Sequence, residues 1–185
     1  MLDLSNTLKL FEITLWGTAI LVLYVYVVYL FVQTPYPHQP PMERKIRSSD
    51  LPKAIGIYLI MAFMEEAIGR YLPLRLTALA FHNNLFLLVS VAMISSIIFG
   101  WLHSGIIHIS FESVSLEPYG ESPLWKYMIF HGVGGLILCG ILLVAVFVAK
   151  ISWTEAFWVT VFVHFFANII LFALGIFFRS QQNPA

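Results

Sequence analysis

The chain has 185 residues, of which 59% are hydrophobic and only 11% charged, with a mean hydropathy of +0.85; this excludes the soluble globular class and points to an integral membrane protein. Ten basic residues balance ten acidic ones, which leaves no charge excess for a nucleic-acid partner or a broadly basic membrane-surface patch. Cys139 is the single cysteine, so neither an internal disulfide nor a cysteine-based metal site is available.

The predicted fold is all-α: a polytopic membrane protein in which about five transmembrane helices form a single bundle, one membrane domain over residues 1–185. A hydrocarbon core about 30 Å thick asks for roughly 20 apolar residues in a spanning helix, and the first such stretch is about Phe11–Val32. It is read as an N-terminal anchor helix within residues 1–33. A cleaved signal peptide does not fit, because the run is too long, Lys9 is its sole amino-terminal base, and no small-residue cleavage site follows. The polar, proline-rich run TPYPHQPPMERKIRSSD then marks a loop.

The remaining helices are expected within residues 51–178. The second begins near Leu51 and carries the run MEEAIGR; the third follows His82-Asn83-Asn84 and ends around Trp101–Ile109. The fourth starts near Leu124 and the fifth near Trp153, before a polar tail, QQNPA. Arg44, Lys45, Arg47 and Lys53 cluster after the first helix, which favours a cytoplasmic loop there, an external amino terminus and a multi-pass plasma-membrane location. The loop bearing Glu112, Glu117 and Glu121 would then be cytoplasmic too. No internal repeat is visible.

Away from the segment ends, the apolar spans hold Glu65, Glu66, Arg70, His103, His131, His164 and Asn168. A charge at the centre of a bilayer helix costs at least ~2.5–3.5 kcal/mol on insertion scales, so each is a candidate functional residue; a structural ion pair or an interhelical hydrogen bond is the alternative for any one alone. At ~100° per residue, Glu66 and Arg70 share a helix face, whereas Glu65 points ~100° from Glu66 and ~140° from Arg70. Glu66 can therefore be neutralised locally. Glu65 requires a partner from another helix.

Depth identifies that partner, because residues equidistant from the turn of an antiparallel helix pair lie at one height. The midpoint of Glu65 and His103 falls on Asn84, that of His103 and His131 on Glu117, and that of His131 and His164 just before the Lys150-Ile151-Ser152 break. All four then share one layer, provided that the second helix continues past Pro73, with a kink, to about Phe81. FGWLH places Phe99 and His103 on one face, and HFFAN does the same for His164 and Asn168. Phe99 reads first as packing, and an aromatic one turn from an imidazole would also exclude water from it.

A carboxylate facing an imidazole suits activation of water, and a His/Asn pair on one helix can donate to an oxygen that becomes negative. The motifs EEAIGR, FGWLH and HFFAN, in this order on successive helices, resemble the EExxxR, FxxxH and HxxxN signatures of the CAAX protease and bacteriocin-processing (CPBP, Abi) family. The resemblance implies an intramembrane endopeptidase of the glutamate type, a hydrolase acting on a membrane-associated protein or peptide in the lipid bilayer. It implies Glu65 and His103 as the water-activating pair, His164 and Asn168 as the oxyanion site, and Glu66 and Arg70 as a supporting ion pair. Gly69 departs from the aromatic that often precedes the motif arginine, which bears on local packing there.

Other readings compete. Glu65, His103 and His164 would also make a zinc set with one open position, although no HExxH-like pair anchors an ion, and no cofactor is expected. His131 lies outside the motifs and either lines the cavity or makes an interhelical hydrogen bond. A non-catalytic membrane scaffold or immunity protein, or a proton-coupled carrier, could use the same buried groups. Glu65→Gln separates these readings, since a protease loses cleavage and a scaffold keeps its phenotype.

Overall fold

The computed structural model describes residues 4–32, 51–103, 108–109, 114–115 and 124–182. The helices are α1 (Leu4–Val32), α2 (Leu51–Glu66), a π turn (Ala67–Tyr71), α3 (Leu72–Ala80), α4 (Leu85–His103), α5 (Leu124–Phe147) and α6 (Trp153–Gln182). Between α4 and α5, β1 (His108–Ile109) pairs antiparallel with β2 (Val114–Ser115). The basic cluster at Arg44, Lys45 and Arg47, the acidic loop at Glu112, Glu117 and Glu121, and most of the tail lie outside the described residues, as does the side chain of Lys53.

Among the described residues, four helices are long and apolar enough to cross a membrane: Ser5–Val28, Leu85–His103, Met128–Phe147 and Trp153–Leu171. The fifth rod is the unbroken run of α2, π turn and α3, whose parts are individually short. Large apolar side chains cover the outside, Trp16, Ile60, Phe86 and Ile97 among them, as expected where the solvent is lipid and not water. This is an integral, multi-pass membrane bundle.

Local chemistry explains the π turn. Pro73 has no N–H, so the Gly69 carbonyl four residues earlier loses its α-helical donor. The backbone widens instead, with Leu72 N–H reaching the Ala67 carbonyl. The Ser95 hydroxyl of α4 donates to the Gly69 carbonyl, which restores the lost bond and ties α4 to the π turn. The rod therefore passes Pro73 and ends at Phe81, with Glu65 at its middle.

The turns are equally specific. His82 and Asn83 take φ of 50° and 58°, the left-handed conformation that ends a helix, and Asn83 N–H reaches back to the Ala78 carbonyl. Asn84 Oδ1 then accepts from Leu87 N–H at 3.3 Å to start α4. Between α5 and α6, Lys150 has φ 60°. Ser152 and Glu155 form a reciprocal capping box, Glu155 N–H donating to Ser152 Oγ at 3.2 Å and Ser152 N–H to Glu155 Oε2 at 3.0 Å.

The buried core joins the rod to α4, α5, α6 and α1 through Leu74, Leu88, Leu138, Leu142, Val163 and Leu21. At Gly100 the α4 backbone lies so near α5 that a Cβ would strike the Met128 carbonyl and stand 2.9 Å from Gly132 N. Helix α1 docks on α5 and α6: a Cβ on Gly17 would come within 2.9 Å of Val163 Cγ2. Small residues replace hydrophobic drive as the means of close approach when lipid is the solvent.

Candidate active site

Five elements converge on the middle of the rod. Glu65 and Glu66 close α2, Arg70 lies in the π turn, Phe99 and His103 end α4, and His164 sits halfway along α6. Histidine 131, from α5, completes the group.

Glu66 and Arg70 are fully enclosed, at 0% and 2% exposure, and Arg70 Nη1 donates to Glu66 Oε1. The same oxygen lies 2.8 Å from His164 Nδ1. An ionised carboxylate only accepts, so Nδ1 carries the hydrogen. The Arg70 guanidinium also lies over the Phe99 ring, 4.2 Å from its centroid, which offers the cation a second favourable contact. Glu66 Oε2 and Arg70 Nε and Nη2 have no hydrogen-bond partner among the described residues. The pair is a charged foundation sealed from lipid.

Glu65 is different. It is 20% exposed, and its two oxygens face two imidazoles: Oε1 lies 3.5 Å from His103 Nε2, and Oε2 lies 3.6 Å from His164 Nε2. On His103, Nδ1 is 2.9 Å from the Phe99 carbonyl, an acceptor, so there too Nδ1 is the donor. Both histidines thus point their Nε2 atoms at one carboxylate. A lone pair and a carboxylate oxygen meet favourably only with a proton between them, or with the protons of a water molecule, and separations of this length suit a bridging water.

Glu65, His103, His131 and His164 meet in one layer, with the His103 and His131 rings 4.8 Å apart. Phe99 packs on His103 at 4.0 Å between centroids. Asn168 is half-buried one turn beyond His164 on α6, and no described side chain bonds its amide. His164 does more than stand beside Asn168, since it spans both carboxylates. Gly69, the departure from the motif, has room: a Cβ there would make ordinary contact with Phe99 at 3.6 Å. Ser95 was not legible as part of the site. Pro73 signals a carbonyl in want of a donor, but nothing in the sequence says which helix supplies it.

Among the described residues, no group of three or more His, Cys, Asp or Glu side chains is arranged to hold a metal ion. The proposed zinc ligands instead engage one another: each Glu65 oxygen faces one imidazole, and His164 spends Nδ1 on Glu66.

The family described as type II CAAX prenyl endopeptidase Rce1-like matches residues 47–170. The match takes in α2 to α5, α6 as far as Ile170 and every residue of the layer, and leaves α1 outside. No curated protein and no solved structure matches the chain.

Proposed function

The chain belongs to the Rce1-like family of type II CAAX prenyl endopeptidases, and we propose that it hydrolyses a peptide bond with a water molecule activated by Glu65. The observation that carries this reading is the placement of two imidazole Nε2 atoms, at 3.5 and 3.6 Å, on the two oxygens of one partly exposed carboxylate.

In this mechanism a water molecule sits at the apex of a triangle over Glu65 and His103. Glu65 accepts one proton as the water oxygen bonds to the carbonyl carbon of the substrate, and His103 Nε2 orients the water. The carbonyl π pair moves onto oxygen. His164 enters this step as an imidazolium, its Nε2 proton taken up from solvent beforehand; Nε2–H donates a hydrogen bond to that oxyanion and keeps its proton, and the Asn168 amide supplies the second donor from one turn away. Glu66 holds the Nδ1 side of His164, so the positive charge of that imidazolium has a buried counter-charge 2.8 Å away. When the carbonyl re-forms, the C–N bond breaks and the proton held by Glu65 passes to the leaving amine. Glu66 and Arg70 position the layer without touching substrate.

We read the chain as one membrane domain, with catalytic helices in residues 51–178 and α1 as an N-terminal helix, its amino terminus outside the plasma membrane. The substrate class is a protein held at the membrane, and the family description favours one with a prenylated carboxyl-terminal segment. No metal enters the scheme: a zinc chelator should leave the rate unchanged, and loss of activity restored by added zinc would replace it. The wider test compares protein termini in membranes of cells making the active chain or Glu65→Gln. A new carboxyl terminus present only with the active chain supports the reading, and identical terminus sets under strong expression overturn it.

A further inference from the structure

The water-activating scheme gives no role to His131, yet this residue stands in contact with His103. His103 is the last residue of α4 and is 29% exposed. Its imidazole is fixed by a single backbone hydrogen bond, from Nδ1 to the Phe99 carbonyl. One bond at Nδ1 leaves the ring free to swing, and a swing carries Nε2 away from Glu65. Among the described residues, two rings flank the imidazole: Phe99, at 4.0 Å and 36°, and His131, at 4.8 Å and 32°. Phe99 belongs to the same helix as His103 and moves with it. His131 does not.

His131 is itself held from both sides. Phe130 meets its ring edge-on at 5.0 Å and 87°. The Phe130 ring stacks on Tyr24 of α1 at 6.0 Å, and the Phe130 carbonyl accepts from the Tyr24 hydroxyl at 2.9 Å. On the other side, Gly132 lies against Gly100, where the α4 and α5 backbones approach too closely for a Cβ. That contact fixes α5 against α4 one residue from His131. A continuous series therefore runs from Tyr24 through Phe130, His131 and His103 to Phe99, with Arg70 over its far end.

We propose that His131 is a positioning residue whose ring holds the His103 imidazole with Nε2 on Glu65, and that α1, through Tyr24 and Phe130, holds His131 in turn. The role rests on the water-activation reading and is one of shape: a flat ring at residue 131 suffices, and its nitrogens take no proton from the reaction. Helix α1, outside the family match, thereby becomes part of the machinery and more than an anchor.

The test uses the full chain in lipid nanodiscs and a farnesylated, internally quenched peptide with a CAAX carboxyl terminus. His131→Ala should lower kcat by about 10–100-fold with KM within about twofold, the scale expected for a reacting group displaced by about an ångström. His131→Phe should recover most of the loss, and both should melt near the parent. Wild-type kcat in His131→Ala overturns the proposal; so does His131→Phe as slow as the alanine variant, which would make the imidazole itself the requirement. The ring signal of His103 in histidine-labelled protein, assigned through His103→Gln, gives a readout independent of substrate. It should shift and broaden in His131→Ala and return in His131→Phe, and an unmoved signal in the alanine variant also overturns the proposal. If the parent chain fails to cut this peptide, the prenyl-peptidase reading falls, while the His103 signal still decides whether His131 holds the ring.

Discussion

Around Glu65, helices meet through side-chain atoms: two imidazoles, two carboxylates and a guanidinium from α2, the π turn, α4 and α6. At Gly17 and Gly100 they meet because side-chain atoms are missing, and α1 or α4 comes to rest directly on its neighbour. The first region is directional and polar, and each contact has a chemical identity that a substitution removes at once. The second is steric. Within the polar region the contrast recurs between neighbours, for Glu66 is enclosed and bonded twice over whereas Glu65 is partly exposed. Function and stability should separate along the same line.

The largest effect is expected at the open carboxylate. Glu65→Gln keeps the shape, cannot take a proton from water, and should cut peptide at least about 10³-fold more slowly, near the cost of losing a principal catalytic group. Its melting temperature should stay close to that of the parent. A large fall in stability would erase the distinction drawn between the two glutamates.

Next comes the sealed pair. Arg70→Met leaves Glu66 buried and uncompensated and should destabilise the fold by about 3–5 kcal/mol, seen as thermal unfolding in detergent. Adding Glu66→Gln to the same chain should recover part of the loss. If Arg70→Met melts like the parent, the pair is not a foundation of the fold.

The steric region follows. Gly100→Ala drives a methyl into the Met128 carbonyl, which is backbone and cannot swing aside, so about 1–3 kcal/mol of stability should be lost and the layer loosened with it. Smallest is Tyr24→Phe, which removes the hydroxyl from the Phe130 carbonyl and should cost about 1 kcal/mol by the same melting assay. An effect at Tyr24 exceeding that at Gly100 would mean that the α1 contact is polar in character after all.

Much of this was legible in the chain itself. The HNN run marked the α3–α4 turn because asparagine and histidine tolerate a left-handed backbone, and the fifth helix starts after Ser152, whose spacing to Glu155 is that of a capping box. The i to i+4 pairing of Glu66 with Arg70, and the common depth of Glu65, His103, His131 and His164, follow from helix geometry alone. Other features depend on atoms brought from afar. Pro73 announces a disturbed helix and a freed Gly69 carbonyl, but that Ser95 of another helix takes this carbonyl is set by the packing of α4. His164 engages both carboxylates only because α6 stands at one rotation about its axis, which a strongly apolar helix does not encode in its pattern. The docking of α1 was hidden for the same reason, since a span apolar all round presents no preferred face.

The central claim is that Glu65 activates water and never bonds to the substrate. Turnover of the farnesylated peptide in heavy-oxygen water, followed by mass spectrometry of product and of the enzyme fragment containing Glu65, tests it most directly. Heavy oxygen is expected in the new carboxyl terminus of the product and none in Glu65; label in the Glu65 carboxylate, or a peptidyl adduct trapped there by rapid quenching, would contradict water activation.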